Sequence, residues 1–271
     1  MVCGMNALVP YDQLFKQQIA NSFSRSAATY NQVAELQRRV ANQLLSRLPQ
    51  QKVNDVLDLG TGTGFALPRL RQYYPDARLL GLDLAEGMLN YTASHKANTA
   101  SDFHLICADA EYLPLADQSL DLIYSSLSVQ WCRDYSRLFD ECYRVLKPGG
   151  QLHIATLGPK SLWQLREAWQ QVDNDPHVNV FLPLDRVIDS SQLLQLTSTQ
   201  VELIELSYPD LTSLLKALKT LGASVVEGRP ASGLGGRERL RLLNQAYQTF
   251  RRPDGLLPLT YEVYFFSWTR T

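Results

Sequence analysis

The sequence predicts an α/β architecture: a mostly parallel seven-stranded sheet with helices on both faces, plus a helical cap. Three observations carry this. Between Lys52 and Thr156 short apolar runs alternate with segments of helical periodicity, the mark of successive strand-helix-strand units. One of these runs ends in an acid and a turn with glycine at every second position, Val56-Leu57-Asp58-Leu59-Gly60-Thr61-Gly62-Thr63-Gly64. A buried strand followed by such a turn brings backbone very close to a neighbour or a ligand. Finally, the helical run Leu138–Leu146 meets Lys147-Pro148-Gly149-Gly150, which forbids continuation and turns the chain into the next strand.

A chain of 271 residues can bury a sizeable core. Apolar and charged contents of 45% and 20% place it among ordinary globular proteins and exclude disordered or fibrous classes. A net charge of −1 gives no global basic field for nucleic acid, so any charged partner is recognised by a local patch. Cys3, Cys107, Cys132 and Cys142 form no C-x-x-C pair and have no histidine at zinc-ligand spacing; free thiols in a reducing cytoplasm and no metal are expected. No apolar run reaches the roughly 18 residues of a membrane span, and the N-terminus lacks a signal-peptide pattern.

Residues 1–49 read as helical. Apolar positions 33, 36, 40, 44 and 48 trace one helix face that Pro49 stops. The preceding Phe23–Tyr30 segment mixes aromatic, basic and small residues suited either to closing over a ligand or to packing at a domain edge. In the core, 50–209, strands are expected at 53–59, 78–83, 102–107, 120–126, 151–156 and 201–207. Crossover helices are expected at Leu67–Tyr74, Glu86–Ser94 and Leu138–Leu146, and a further helix at Ser161–Val172. Residues 210–258 read as a cap of two helices, the first Leu211–Gly222 and the second near Arg237–Phe250. The segment 259–271 supplies the last strand.

Open sheets of this kind bind ligands beyond the carboxyl ends of their strands. The dinucleotide pattern needs a third glycine where this chain has Phe65, so a nicotinamide oxidoreductase is disfavoured. What remains, acid-x-Gly-x-Gly-x-Gly, resembles the first motif of class I methyltransferases that use S-adenosylmethionine, a Rossmann-like family. Asp58, Gly60, Gly62 and Gly64 match it position by position, with Thr61 inside the turn. Asp83, ending the second strand, has the place and chemistry to accept from two vicinal ribose hydroxyls, although it also suits an N-cap for the next helix. The family resemblance implies that Asp109, with the Ala110 amide, meets the adenine amino group. Leu84 and Met88 offer apolar contacts to the base or to the core. Ser125, at the end of the fourth strand, leaves room for the methyl-bearing sulfonium, and Tyr30 is placed to cover cofactor or substrate.

Runs outside these motifs narrow the resemblance. Phe23-Ser24-Arg25-Ser26-Ala27, Ser128-Val129-Gln130-Trp131-Cys132, Phe181-Leu182-Pro183, Glu227-Gly228-Arg229 and Leu259-Thr260-Tyr261 are similar to the malonyl-acyl-carrier-protein O-methyltransferases of biotin synthesis. Met1–Val9 matches nothing in that family, and Met5 is an alternative start. The resemblance implies methyl transfer from S-adenosylmethionine to the free carboxylate of a malonyl group on acyl carrier protein. That carboxylate is already ionised at pH 7, so no general base is required. Arg229 is the leading anchor for it, Arg144 the second, and Trp131 and Tyr30 complete the expected substrate set. Lys216, Lys219, Arg237, Arg239 and Arg241 give the cap a basic excess that an acidic carrier would select, though a solvated helix face looks the same. A monomer is expected. A methyltransferase for a small free acid or quinone precursor, and a silent S-adenosylmethionine-binding regulator, stay open.

Overall fold

The computed structural model describes residues 11–95, 102–222, 225–226 and 236–271. Its sheet contains β1 (Asp55–Leu59), β2 (Arg78–Asp83), β3 (His104–Cys107), β4 (Leu120–Ser126), β5 (Leu146–Leu157), β6 (Gln195–Tyr208) and β7 (Leu257–Thr269) in the order β3-β2-β1-β4-β5-β7-β6. Strands β1 to β5 pair in parallel, and β7 runs antiparallel between β5 and β6. From β1 the chain winds outward to β3, then returns to β4 on the other side. The reversal opens a crevice between the carboxyl ends of β1 and β4, where such sheets bind ligands.

Burial on both faces explains why the central strands read as continuous apolar runs. Val56, Leu122 and Tyr124 face one layer, with Leu36, Val40 and Leu44 of α2 (Glu35–Leu45) and Leu67 and Leu70 of α3 (Leu67–Tyr73). Leu57, Leu59, Leu120 and Ile123 face the other, with α5 (Tyr135–Val145). The remaining helices are α1 (Tyr11–Val33), α4 (Glu86–His95), α6 (Trp163–Gln170), α7 (Leu184–Asp189), α8 (Leu211–Thr220) and α9 (Gly236–Tyr247). No described helix is long and apolar enough to cross a membrane.

All seven expected strands are present, with three local differences. The N-terminal helical region breaks at Ala34 (φ −81°, ψ 43°), which separates α1 from α2 without glycine or proline. Lys147–Gly150 is an irregular start to β5 rather than a preceding turn: Gly149 takes φ +80°, and the β4 register jumps from Leu146 to Gln151. The short α7 was not anticipated. Leu165 and Trp169 of α6, with His177, Val178, Asn179 and Phe181, face the same cavity as α8 and α9, so the cap's wall begins upstream of residue 210.

Candidate active site

The crevice starts at the β1 turn. Gly60, Gly62 and Gly64 all have positive φ (79°, 55° and 76°), a region side chains disfavour. Gly60 and Thr61 donate their amides to Leu82 O at 2.7 and 2.9 Å, tying the turn to β2. A Cβ on Gly60 would fall 1.9 Å from Ser128 Oγ, so the turn must be bare there for the segment after β4 to approach. A Cβ on Gly62 would meet nothing within 4 Å, which leaves that face of the turn open.

Three carboxylates converge on this opening from the ends of successive strands. Asp58 is buried, and its Oδ2 accepts from Thr61 Oγ1 at 2.7 Å. Burial, with the neighbouring charge of Asp83, pushes its carboxyl up to about 7. Asp83 accepts from Gly62 N through Oδ2 and from Ala85 N through Oδ1, both at 2.8 Å, and burial raises its pKa despite these bonds. Asp109 Oδ1 accepts from Glu111 N at 3.0 Å, and Oδ2 meets Lys16 Nζ at 2.5 Å. Lys16 also reaches Glu111 at 2.8 Å.

The shift of Asp58 makes a prediction. Its folded-state pKa lies above its unfolded value, so the native state holds the proton longer and stability falls as pH rises from about 4 through 7. Three units correspond to about 4 kcal/mol, as an order of magnitude. Urea midpoints of the cofactor-free protein should therefore show a loss across that window relative to Asp58→Asn; parallel profiles would contradict it.

Helix α1 roofs the opening. Phe15, Ile19, Phe23, Ala27 and Tyr30 form one stripe at helical spacing. Ser24 Oγ accepts from Gly87 N at 3.1 Å, and Ser22 Oγ donates to Gly222 O at 2.9 Å, so α1 is fastened to α4 and to the end of α8. Beneath it lies a hollow of about 100 Å³ lined by Lys16, Gly60, Gly62, Asp83, Leu84, Met88, Asp109, Ala110, Ser126 and Ser128. A smaller recess of about 60 Å³ reaches Asp58 and Thr61. A chamber of about 390 Å³ extends toward the cap. Tyr30 borders all three spaces, and Phe23, Leu127 and Trp131 border both hollow and chamber, so the three adjoin one another in one cleft region. Phe23 meets Trp131 edge-on at 5.4 Å across the junction. Burial pushes the Tyr30 hydroxyl above the usual tyrosine range.

Ten expected site residues thus surround the cleft: Tyr30, Asp58, Gly60, Thr61, Gly62, Asp83, Leu84, Met88, Asp109 and Ala110, with Trp131 at the junction. Four placements need correction. Gly64 faces α4, where its Cβ would fall 2.6 Å from Thr92, so it serves helix packing. Ser125 points into the sheet and donates to Leu59 O at 2.7 Å; strand alternation gives the open position to Ser126. Arg144 sits at the carboxyl end of α5, near the amino ends of the strands. Its guanidinium binds Glu141, Asp117 and the carbonyls of Leu113 and Leu115, away from the crevice.

The fourth correction is Arg239, which turns inward. Its Nη2 lies 2.5 Å from Asp173 Oδ2 and 2.8 Å from Asp175 Oδ2. His177 Nε2 lies 2.7 Å from Asp173 Oδ1, with its ring stacked 3.5 Å from Trp169. Burial pushes the Asp173 carboxyl up, but hydrogen bonds from His177, the Asp175 amide and Arg239 hold it below the usual carboxylate range. The ligand atoms of Asp173, Asp175 and His177 lie within 4.8 Å of one another, yet the arginine already supplies their cation. Arg241 pairs with Glu238 on the surface, and Lys216, Lys219 and Arg237 are exposed. Arg229 lies outside the described residues. Lys16, Ser126 and Ser128 were not singled out: Ser126 was available from strand alternation, whereas nothing local links Lys16 to Asp109. Phe23 belongs to the segment expected to close over a ligand or pack at a domain edge.

Comparison with known proteins bears on this geometry. A family described as "Methyltransferase domain" matches residues 57–154, from β1 into β5. The malonyl-[acyl-carrier protein] O-methyltransferase of Methylovorus sp. is 39% identical over 264 residues, covering 93% of this chain and 88% of that protein. This chain belongs to that family. The biotin biosynthesis bifunctional protein BioHC of Saccharophagus degradans is 40% identical over 262 residues, and the match covers 93% of this chain. The chain spans about half the length of that bifunctional relative, 46% of it. Among solved structures, the YcgJ protein of Bacillus subtilis shares the fold with a TM-score of 0.62, at 15% identity, over 86% of this chain and 98% of that one. The family's fold is thus the seven-stranded methyltransferase sheet built above.

Proposed function

We propose that the chain transfers a methyl group from S-adenosylmethionine to the free carboxylate of a malonyl group held as a thioester on acyl carrier protein, forming the methyl ester that primes biotin synthesis. The observation that carries this reading is that Asp83 and Asp109 line a hollow and Asp58 the recess adjoining it, both sharing walls with a substrate-sized chamber. Three acceptors at the ends of adjoining strands suit a ligand presenting an ammonium group, a vicinal diol and an exocyclic amine. Asp58 would take the amino group, Asp83 the ribose hydroxyls, and Asp109 the adenine amine. Leu84 and Met88 would pack against the base. When bound, the sulfonium supplies an electrophilic methyl group.

The chain's own contribution is orientation. An ionised carboxylate needs no base, and holding it in line is worth on the order of 7–11 kcal/mol of barrier. Phe23, Tyr30, Leu127 and Trp131 narrow the passage between hollow and chamber and keep water from the reacting atoms. Among the described residues, Lys219 and Arg239 are the cations bordering the chamber; Arg229 remains a proposed anchor for the carboxylate.

With Arg239 turned inward, the carrier's landing site reduces to Lys216 and Lys219 on α8, Arg237 on α9 and the exposed Arg241. In this reading the enzyme works as a monomer in the cytoplasm. Reversing Lys216, Arg237 and Arg241 to Glu should cut kcat/KM for the carrier-bound substrate by roughly 10-fold or more at low salt, while sparing a small malonyl thioester. Equal losses on both would count against docking. Turnover of a small free acid in preference to either thioester would overturn the substrate assignment.

A further inference from the structure

The chamber is larger and more apolar than a malonyl group requires. At roughly 30 Å³ per heavy atom, a water's share of liquid volume, a malonyl group fills only about half of the chamber's 390 Å³. Its wall is mainly Leu36, Leu157, Leu165, Phe181, Leu215 and Leu218. Several of the polar side chains among them are engaged, although Gln37 Oε1 and His177 Nδ1 are buried without a hydrogen-bond partner. Gln130 Nε2 donates to Leu127 O at 2.7 Å, Asn179 Nδ2 donates to Val225 O at 2.7 Å, and His177 and Arg239 are held by Asp173. A second charged group lodged in such a wall would be penalised, whereas methylenes would be favoured.

Building on the reading above, in which an acyl thioester enters this chamber, we propose that it is a binding site for linear, uncharged acyl chains longer than malonyl, up to at least about eight carbons. Medium-chain acyl thioesters then occupy the enzyme as competitive inhibitors. Their alkyl chain lies where the malonyl end would pass, and their lack of a carboxylate leaves nothing to methylate. An eight-carbon acyl chain needs about 270 Å³ on the same scale, within the volume present. Leu240 and Lys219 border the chamber and are exposed, which places part of its rim on the face proposed to meet the carrier.

The test is a chain-length series. Butanoyl, hexanoyl and octanoyl thioesters of one carrier protein share the same docking contacts, so differences between them report the chamber. Inhibition of malonyl-carrier methylation should tighten roughly three- to four-fold per added methylene, about 100-fold or more from butanoyl to octanoyl. Leu165→Trp, which fills the wall at a buried position, should flatten the series. Inhibition constants independent of chain length, with malonyl turnover intact, would overturn the chamber assignment alone. Calorimetry of the protein saturated with S-adenosylhomocysteine, titrated with butanoyl- and octanoyl-pantetheine, reads the chamber without turnover. Octanoyl should bind more tightly and with a more negative heat-capacity change, and equal affinities would refute the proposal. Absence of malonyl methylation beside chain-length-dependent binding would instead contradict the substrate reading and leave the acyl-chain site standing.

Discussion

Replacing Asp83 with alanine should raise the Kd for S-adenosylmethionine by at least about 100-fold, as measured by calorimetry. A carboxylate accepting from two ribose hydroxyls makes two charge-assisted hydrogen bonds, each worth roughly 1.5–3 kcal/mol. The same side chain also holds Gly62 N and Ala85 N, so the substitution loosens the turn that carries the cofactor. Asp83→Asn keeps one acceptor oxygen and should fall between the two. Near-normal affinity in a folded Asp83→Ala protein would remove this residue from the site.

Gly87→Ala should weaken the cofactor complex by roughly 10- to 100-fold, chiefly through faster dissociation. In most helices this change is neutral or favourable. Here the added Cβ would lie 2.6 Å from Ser24 Cβ, 2.7 Å from Ser24 Cα and 2.9 Å from Ser24 O. Backbone cannot yield as a side-chain tip can, so α1 must lift from α4, costing on the order of 1–3 kcal/mol of packing. The core sheet does not share that contact, and its melting temperature should change little. Stopped-flow release of S-adenosylhomocysteine measures the effect, and an unchanged off-rate would show that α1 does not retain the cofactor.

What could be read in advance follows from how local each signal is. Strands 78–83 and 120–126 were located to the residue because both of their faces are covered and most positions between their ends are apolar or small. The acids of the crevice were legible for a related reason. Each ends an apolar run or follows one directly, so its place at the strands' carboxyl edge comes from the same pattern. Cations gave no such anchor. Arg144 and Arg239 both sit on amphipathic helices, where spacing cannot distinguish a free guanidinium from one paired across the fold. Their partners at Leu113, Leu115, Asp117, Asp173 and Asp175 belong to other segments of the chain. Ser125 was chosen over Ser126 because a strand's composition does not set its register; the partner strands do. The break at Ala34 left no mark because the region's helical pattern continues across it.

Methyl transfer to an already ionised oxygen at the junction of hollow and chamber is the central claim, and one measurement reaches it most directly. The purified protein is incubated with S-adenosylmethionine labelled in its transferable methyl group and with malonyl-acyl-carrier protein, and the carrier is then examined by intact mass and after release of its acyl group. The expected result is a malonyl methyl ester carrying the label, formed over many turnovers and lost in Asp83→Ala. Bound cofactor with an unmodified malonyl group would contradict it.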